Sequence, residues 1–205
     1  TDVLAVVSRT PEQRRPERIM VQAGKRRRIM RLEYRNITIR NAVENDAQQL
    51  AAWWNDGRVM AHAGFPNGTG QTVQEIADSL QKDSDQTGRR LIIELDDTSI
   101  GEMNYPNKGN LTAEIGIKIC DFSRQNKGIG KIVLSMLISA LFHDCGYEKI
   151  VLDTNLKNRR AQHVYERLGF KKVRINRNSW KDQTGEPQSS VDYELYPKDF
   201  IPFTK

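Results

Sequence analysis

The segment Gln125-Asn126-Lys127-Gly128-Ile129-Gly130 constrains the fold more than any other, because it joins an alternating, strand-like run to the start of a long apolar helix. Two glycines there let the backbone approach something bulky. The first turn of a helix leaves N–H groups without intrahelical partners, and the positive end of the helix dipole points the same way. Such a turn receives phosphate oxygens.

Spelling removes two common phosphates. A Walker loop needs a hydroxyl after its Gly-Lys pair to hold magnesium, but Gly130-Lys131 is followed by Ile132. The dinucleotide fingerprint needs a third glycine where Val133 stands. What remains is Gln-x-x-Gly-x-Gly flanked by Lys127 and Lys131, which suits a pyrophosphate held by backbone N–H groups without a metal.

A second motif follows the next apolar run, Ile150-Val151-Leu152. It reads Asn158-x-x-Ala161-x-x-x-Tyr165-Glu166-x-x-Gly169-Phe170. Together the two motifs resemble those of the GNAT superfamily of N-acetyltransferases. Trp53-Trp54-Asn55-Asp56 and the glycine-rich loop after it resemble the branch that holds ribosomal-protein N-terminal acetyltransferases and aminoglycoside 6′-acetyltransferases.

The resemblance implies acetyl-CoA as co-substrate and no metal. It places the pyrophosphate on Gln125, Asn126, Lys127, Gly128, Ile129, Gly130 and Lys131. The pantetheine arm falls to the main chain of Ile117, Lys118 and Ile119, and further cofactor contacts to Asn158, Ala161 and Tyr165. Tyr165 stands where the family keeps the acid that protonates the departing thiolate; without the motif it reads as a core tyrosine.

Hydrophobic periodicity gives an independent account of the fold. Asn36 to Ala42 alternates as a strand, and a helix with Ala47, Leu50, Ala51 and Trp54 on one face runs from Asn45 or Asp46 to about Asn55. His62 to Gly70 is a loop, and Thr72 to Lys82 a second helix with Val73, Ile76, Ala77 and Leu80 buried. Leu91 to Leu95 and Ser99 to Asn104 flank Asp96-Asp97-Thr98 as a hairpin. Ala113 to Ile119 alternates with Ile115, Ile117 and Ile119 on one face and Glu114, Gly116 and Lys118 on the other. Helices are predicted over Gly128 to His143 and Asn158 to Leu168, and strands at 150–152, Phe170 to Val173 and Val191 to Leu195. The order predicts an α+β domain, residues 31–205, with a mixed, mostly antiparallel central sheet flanked by helices, and it is also the order of the GNAT fold.

Charge separates this domain from what precedes it. The net charge of +6 is concentrated in residues 1–30, which hold eight Lys/Arg against three Asp/Glu, while residues 31–205 carry 24 against 23. Residues 1–30 read as a basic N-terminal extension, with Pro11, Pro16 and the run Lys25-Arg26-Arg27-Arg28. It is either an arm for nucleic acid or another acidic surface, or a non-native addition upstream of Met30, and its Leu4 to Val7 run is able to pair with a sheet edge. Nucleic acid is not the expected partner of the domain.

No apolar run approaches eighteen residues and no secretory signal is written, so a cytoplasmic chain away from membranes is expected. Cys120 and Cys145 lack metal or disulfide spacing and read as free thiols in a reducing compartment. Oligomeric state is open between monomer and homodimer.

The chemistry implied is direct attack of a primary amine, on a small molecule or a protein N-terminus, upon the thioester. At pH 7 a lysine-like amine near ~10.4 is only about 0.04% neutral, against roughly 10% for an α-amine near ~8, so a general base matters most for the former. Glu114 is the first candidate, on the strand face opposite the isoleucines, followed by Glu102, His62 or a water relay. Acceptor recognition falls to the Trp53–Asp56 region and to the polar hairpin tip Trp180–Glu186. Trp54 itself reads more as core than as a ligand wall. The alternative is a non-catalytic acyl-CoA-binding or sensor protein of the same fold.

Overall fold

The computed structural model describes residues 30–203. The expectations about the basic segment up to Arg28, including the Leu4 to Val7 run, lie outside the described residues.

The chain opens with a hairpin of β1 (Arg31–Tyr34) and β2 (Ile37–Asn41), turned by Arg35 in the left-handed region. Sequence periodicity misses β1, which is only four residues long and exposes Arg31 and Glu33 on its outer face. Next come α1 (Ala47–Trp54), the short α2 (Gly57–Met60) with a 3-10 turn at Ala61–Ala63, and α3 (Val73–Leu80). Thr72 and Glu75 close the start of α3 as a reciprocal capping box. Strands β3 (Gly88–Leu95) and β4 (Thr98–Pro106) form the expected hairpin.

The segment predicted as one strand over Ala113 to Ile119 is two. β5 (Thr112–Glu114) and β6 (Gly116–Ile119) meet at Ile115 and belong to different sheets. After the 3-10 turn Phe122–Arg124 come α4 (Ile129–His143), β7 (Lys149–Asn155), α5 (Arg159–Arg167), β8 (Lys171–Lys181) and β9 (Pro187–Leu195). β8 runs eight residues beyond the predicted strand end at Val173, because its outer part exposes nearly every side chain and carries no apolar signal.

The first sheet has the order β1-β2-β3-β4-β6 and the second β5-β7-β9-β8; among the described residues only β5 and β7 pair in parallel. Helix α4 buries ten of its fifteen residues, as a helix packed on several sides must. Its Val133, Leu137 and Leu141 pack with Ile39, Leu91, Ile93 and Met103 of the first sheet and Ile150, Leu152 and Tyr193 of the second. Each such fully buried side chain contributes roughly 1.5–3 kcal/mol. Leu50, Trp53, Ile76 and Leu80 of α1 and α3 cover the opposite face of the first sheet, against Ile92 and Cys120. Of the tryptophan pair, Trp53 is the buried member, three residues from Leu50. Trp54 flanks that core and sends its indole N–H elsewhere.

Among the described residues no helix is long and apolar enough to cross a membrane.

Candidate active site

The site arises where one strand changes sheets. β5 pairs with β7 through Glu114↔Val151, and Ile115 N–H donates once more to Val151 O at 3.0 Å. From Gly116 onward the chain pairs with β4 instead, Gly116 opposite Asn104 and Ile119 opposite Gly101. The far half of β7 therefore diverges from β6. β6 ends its sheet, so one edge of its backbone N–H and C=O groups faces the gap. The gap is a cleft of about 930 Å³ lined from β6, β7, the α4 start, α5, α2 and the β8–β9 hairpin.

One end of the cleft is built for an anion. Asn126 (φ 61°) and Gly128 (φ 77°) adopt left-handed backbone, and Gly128 caps α4 with no side chain bonded across the first turn. The N–H groups there stay available to a ligand. A Cβ built on Gly130 meets nothing within 4 Å, so the missing side chain leaves open space at the helix start. Gln125 Nε2 donates to Ile119 O at 2.9 Å, which fastens the loop to β6. Asn126 Oδ1 accepts from Arg160 Nη1 at 2.8 Å, which fastens it to α5. Asn158 caps α5 by accepting from Ala161 N–H at 3.2 Å.

The other chemistry-bearing groups lie deeper. Tyr165 is buried among Phe170 and Tyr193, edge-on to both with ring centroids 5.9 and 5.8 Å away, and it borders the cleft. Burial, and secondly the negative charge of Asp153, push its phenol up to about 12. Asp153 lines the cleft from the diverging half of β7. The protein around its carboxyl, ahead of the like charges of Glu114 and Asp192, shifts it upward, although solvent reaches it through the opening. Among the described residues no cation lies within ion-pair distance of it.

The sequence candidates for a base are placed differently. Glu114 is not among the residues lining the cleft and pairs with Lys108 Nζ at 3.0 Å. The strand switch is the reason: Glu114 sits on the β5 side of Ile115, whereas the cleft opens on the β6 side. Glu102, 2% exposed, stands on β4 opposite Lys118 and accepts from Trp54 Nε1 at 2.8 Å and Lys118 Nζ at 2.9 Å. His62 is exposed at the cleft mouth. Cys120 is a free, buried thiol pushed up to about 12 by burial and then by Glu102.

Of the expected cofactor residues, Ile117, Lys118, Ile119, Gln125, Gly130, Asn158, Ala161 and Tyr165 line the cleft. Asn126, Lys127 and Gly128 form the exposed turn beside it, and Ile129 points into the core. Lys131 Nζ lies over the Phe203 ring, 4.9 Å from its centroid.

The hairpin tip Trp180–Glu186 and the glycine-rich loop that follows Trp53–Asp56 are hydrogen-bonded to each other. Gln183 N–H donates to Gly64 O at 2.8 Å, its Nε2 donates to Gly68 O at 3.0 Å, and its Oε1 accepts from Asn67 N–H at 3.0 Å. Trp180 covers Gly64 so closely that a Cβ there would lie 2.5 Å from the indole. Among the described residues no cluster of three or more His, Cys, Asp or Glu gathers as metal ligands.

Sequence reasoning missed Asp153. The signal was a carboxylate directly after the apolar run Ile150-Val151-Leu152, five residues before the Asn158 motif.

A family model described as an acetyltransferase (GNAT) domain matches residues 36–171. No curated protein sequence matches the chain. A spermidine N-acetyltransferase from Vibrio cholerae, solved in complex with CoA and spermine, superposes with a TM-score of 0.71 at 20% identity, over 81% of this chain and 98% of that one. An N-acetyltransferase from Staphylococcus aureus Mu50 gives 0.67 at 21% identity, over 78% and 98%. A GNAT-family acetyltransferase from Bacillus anthracis gives 0.69 at 16% identity, over 82% and 99%. At these identities the solved structures speak for the fold.

Proposed function

The chain belongs to the GNAT family of acetyl-CoA-dependent N-acetyltransferases, and from that premise we propose that it acetylates a primary amine, on a small molecule or a protein N-terminus, by direct attack. The observation that carries this reading is that Asp153 and Tyr165, a carboxylate without a cationic partner and a neutral phenol, border the same cleft where β6 and β7 part.

Acetyl-CoA would lie with its pyrophosphate on the start of α4, held by the turn from Gln125 to Lys131, and its pantetheine along the free edge of Ile117 to Ile119. The cradle fits: the helix start is uncapped and the space beside Gly130 is open. Main-chain N–H groups along that edge are also suited to the oxyanion formed on attack.

In the step itself the amine nitrogen bonds to the thioester carbonyl carbon. As it does so its N–H becomes acidic, and the Asp153 carboxylate takes that proton. The C–S bond then breaks and the thiolate leaves. A free thiol titrates near ~8.5, well below the Tyr165 phenol at about 12, so complete transfer from Tyr165 would be uphill by several pH units. Tyr165 therefore stabilises the departing sulfur as a hydrogen-bond donor, and the proton that completes the thiol is finally replaced from solvent. Asp153 takes the role that sequence reasoning gave first to Glu114.

Thiol release from acetyl-CoA across a panel of amines tests the proposal. Release with at least one amine class supports it. Tight acetyl-CoA binding with no release across the panel would favour the non-catalytic acyl-CoA-binding alternative.

A further inference from the structure

We propose that the chain binds a second small molecule, an uncharged planar heteroaromatic ring with a carbonyl acceptor, in a cavity at the opposite end of α4 from the phosphate turn. This site is independent of the reaction in the cleft.

The cavity measures about 350 Å³ and lies where β4 ends, β5 begins and the chain leaves α4 for β7. It shares no lining residue with the cleft. The cleft borders the start of α4 at Gly130 and Leu134, whereas the cavity reaches Cys145, two residues past its end at His143. The fifteen residues of α4, roughly 22 Å of helix, run from one to the other. The volume is at the small end for ligand sites, which suits a single ring system.

Tyr105 is the group that calls for a ligand. Its side chain is 2% exposed and lines the cavity, and its hydroxyl has no hydrogen-bond partner among the described residues. A buried hydroxyl left unpaired is unfavourable, and an acceptor brought by a ligand relieves it. Burial, and secondly Cys145, push the phenol far above its ordinary value, so it stays protonated and donates.

The rest of the lining says what carries that acceptor. Asp85, the charged member, is answered by the buried Arg89, whose Nη2 lies 2.8 Å from Asp85 Oδ1, so no net charge is left for an ion. Tyr105, Tyr147 and Leu111 supply aromatic and apolar surface, which favours a flat ring. The rim is already built. Asn107 Oδ1 accepts from Gly109 N–H at 2.9 Å, its Nδ2 donates to Asp85 O at 3.3 Å, and Leu111 O accepts from Glu148 N–H at 2.8 Å. Little ordering is left for a ligand to impose.

The test titrates the full chain, saturated with CoA, with nicotinamide and separately with cytosine, two uncharged rings of this class. At least one is expected to bind at a single site with a Kd of about 1 mM or lower, equally well without CoA. Its amide shifts in NMR spectra should centre on Tyr105, Leu111 and Tyr147. Cyclohexanecarboxamide, which keeps the acceptor and loses the aromatic ring, should bind about 3- to 10-fold more weakly than nicotinamide. Tyr105→Phe removes only the hydroxyl; it should weaken the bound probe about 3- to 10-fold while the melting temperature and thiol release stay at wild-type values. Any of four results would overturn the proposal. They are no saturable binding of either ring up to about 10 mM, displacement of the probe by CoA, equal affinity for the cyclohexane analogue, or unchanged affinity in Tyr105→Phe. A clear loss of melting temperature in Tyr105→Phe would also overturn it, by showing that the hydroxyl serves the fold.

Discussion

The carboxylate of Asp153, on the half of β7 that has parted from β6, is the charged group that helps hold the Tyr165 phenol of α5 in its neutral form. Each is shifted first by burial and then by neighbouring negative charge. Groups whose surroundings displace them upward inside one cleft are where proton chemistry is expected.

Asp153 should cost the protein stability at neutral pH. Its carboxyl titrates higher in the folded chain than in the unfolded one, where it lies near ~3.9. The folded state therefore binds the proton more tightly, so its contribution is fully present below the unfolded value and is lost as pH rises through the raised folded one. Asp153→Asn should melt about 1–3 °C above wild type at pH 7, a small effect because solvent reaches the group, with the gain vanishing near pH 3. Calorimetry across that range checks it; a variant less stable than wild type at pH 7 contradicts it.

Tyr165→Phe should lower kcat roughly 10- to 100-fold while leaving the acetyl-CoA dissociation constant within a factor of about two, since the lost interaction forms only as sulfur departs. Because the phenol titrates at about 12, it should add no basic limb to the wild-type rate profile below pH 10. Steady-state kinetics beside calorimetric binding separates the two effects.

The two glycines of the phosphate turn should fail in different ways. Gly128 sits at φ 77°, so Gly128→Ala should cost about 1–2 kcal/mol of stability from backbone strain alone. Gly130 is helical with open space where a Cβ would go. Gly130→Leu should therefore leave the melting temperature nearly unchanged and weaken acetyl-CoA binding about tenfold or more by filling the cradle. Thermal melts and acetyl-CoA titrations read the contrast.

Gln183 joins the hairpin tip to the glycine-rich loop through three hydrogen bonds, two of them from its side chain. At about 0.5–1.5 kcal/mol for each, Gln183→Ala should loosen the acceptor wall and raise the acceptor KM about 3- to 10-fold. Affinity for acetyl-CoA should stay constant, because the seam lies away from the α4 start.

How much of this was legible in the sequence follows from where each signal lives. The strand, turn and helix around Gln125 to Lys131 and the Asn158 to Phe170 motif are local, so spacing and spelling located them and eight of their expected residues border the cleft. The sheet switch at Ile115 was not legible. Alternation continues unbroken from Ala113 to Ile119, and only the competition between β7 and β4 for the backbone divides it. That division separates Glu114 from the cleft and leaves Asp153 beside it. The Gln183 seam was hidden for a related reason, since its partners are more than a hundred residues apart. The ribosomal-protein and aminoglycoside branch suggested by Trp53-Trp54 finds no specific support in the geometry, where Trp53 is core and Trp54 holds Glu102.

The most direct measurement is the rate of thiol release from acetyl-CoA by Asp153→Asn with a free α-amine peptide, followed from pH 5 to 9. A kcat/KM lower by about 10²–10³ at pH 7, with acetyl-CoA affinity unchanged and the acid limb that the acceptor's own ammonium imposes kept in both proteins, is the expected result. Wild-type turnover in the variant would contradict it.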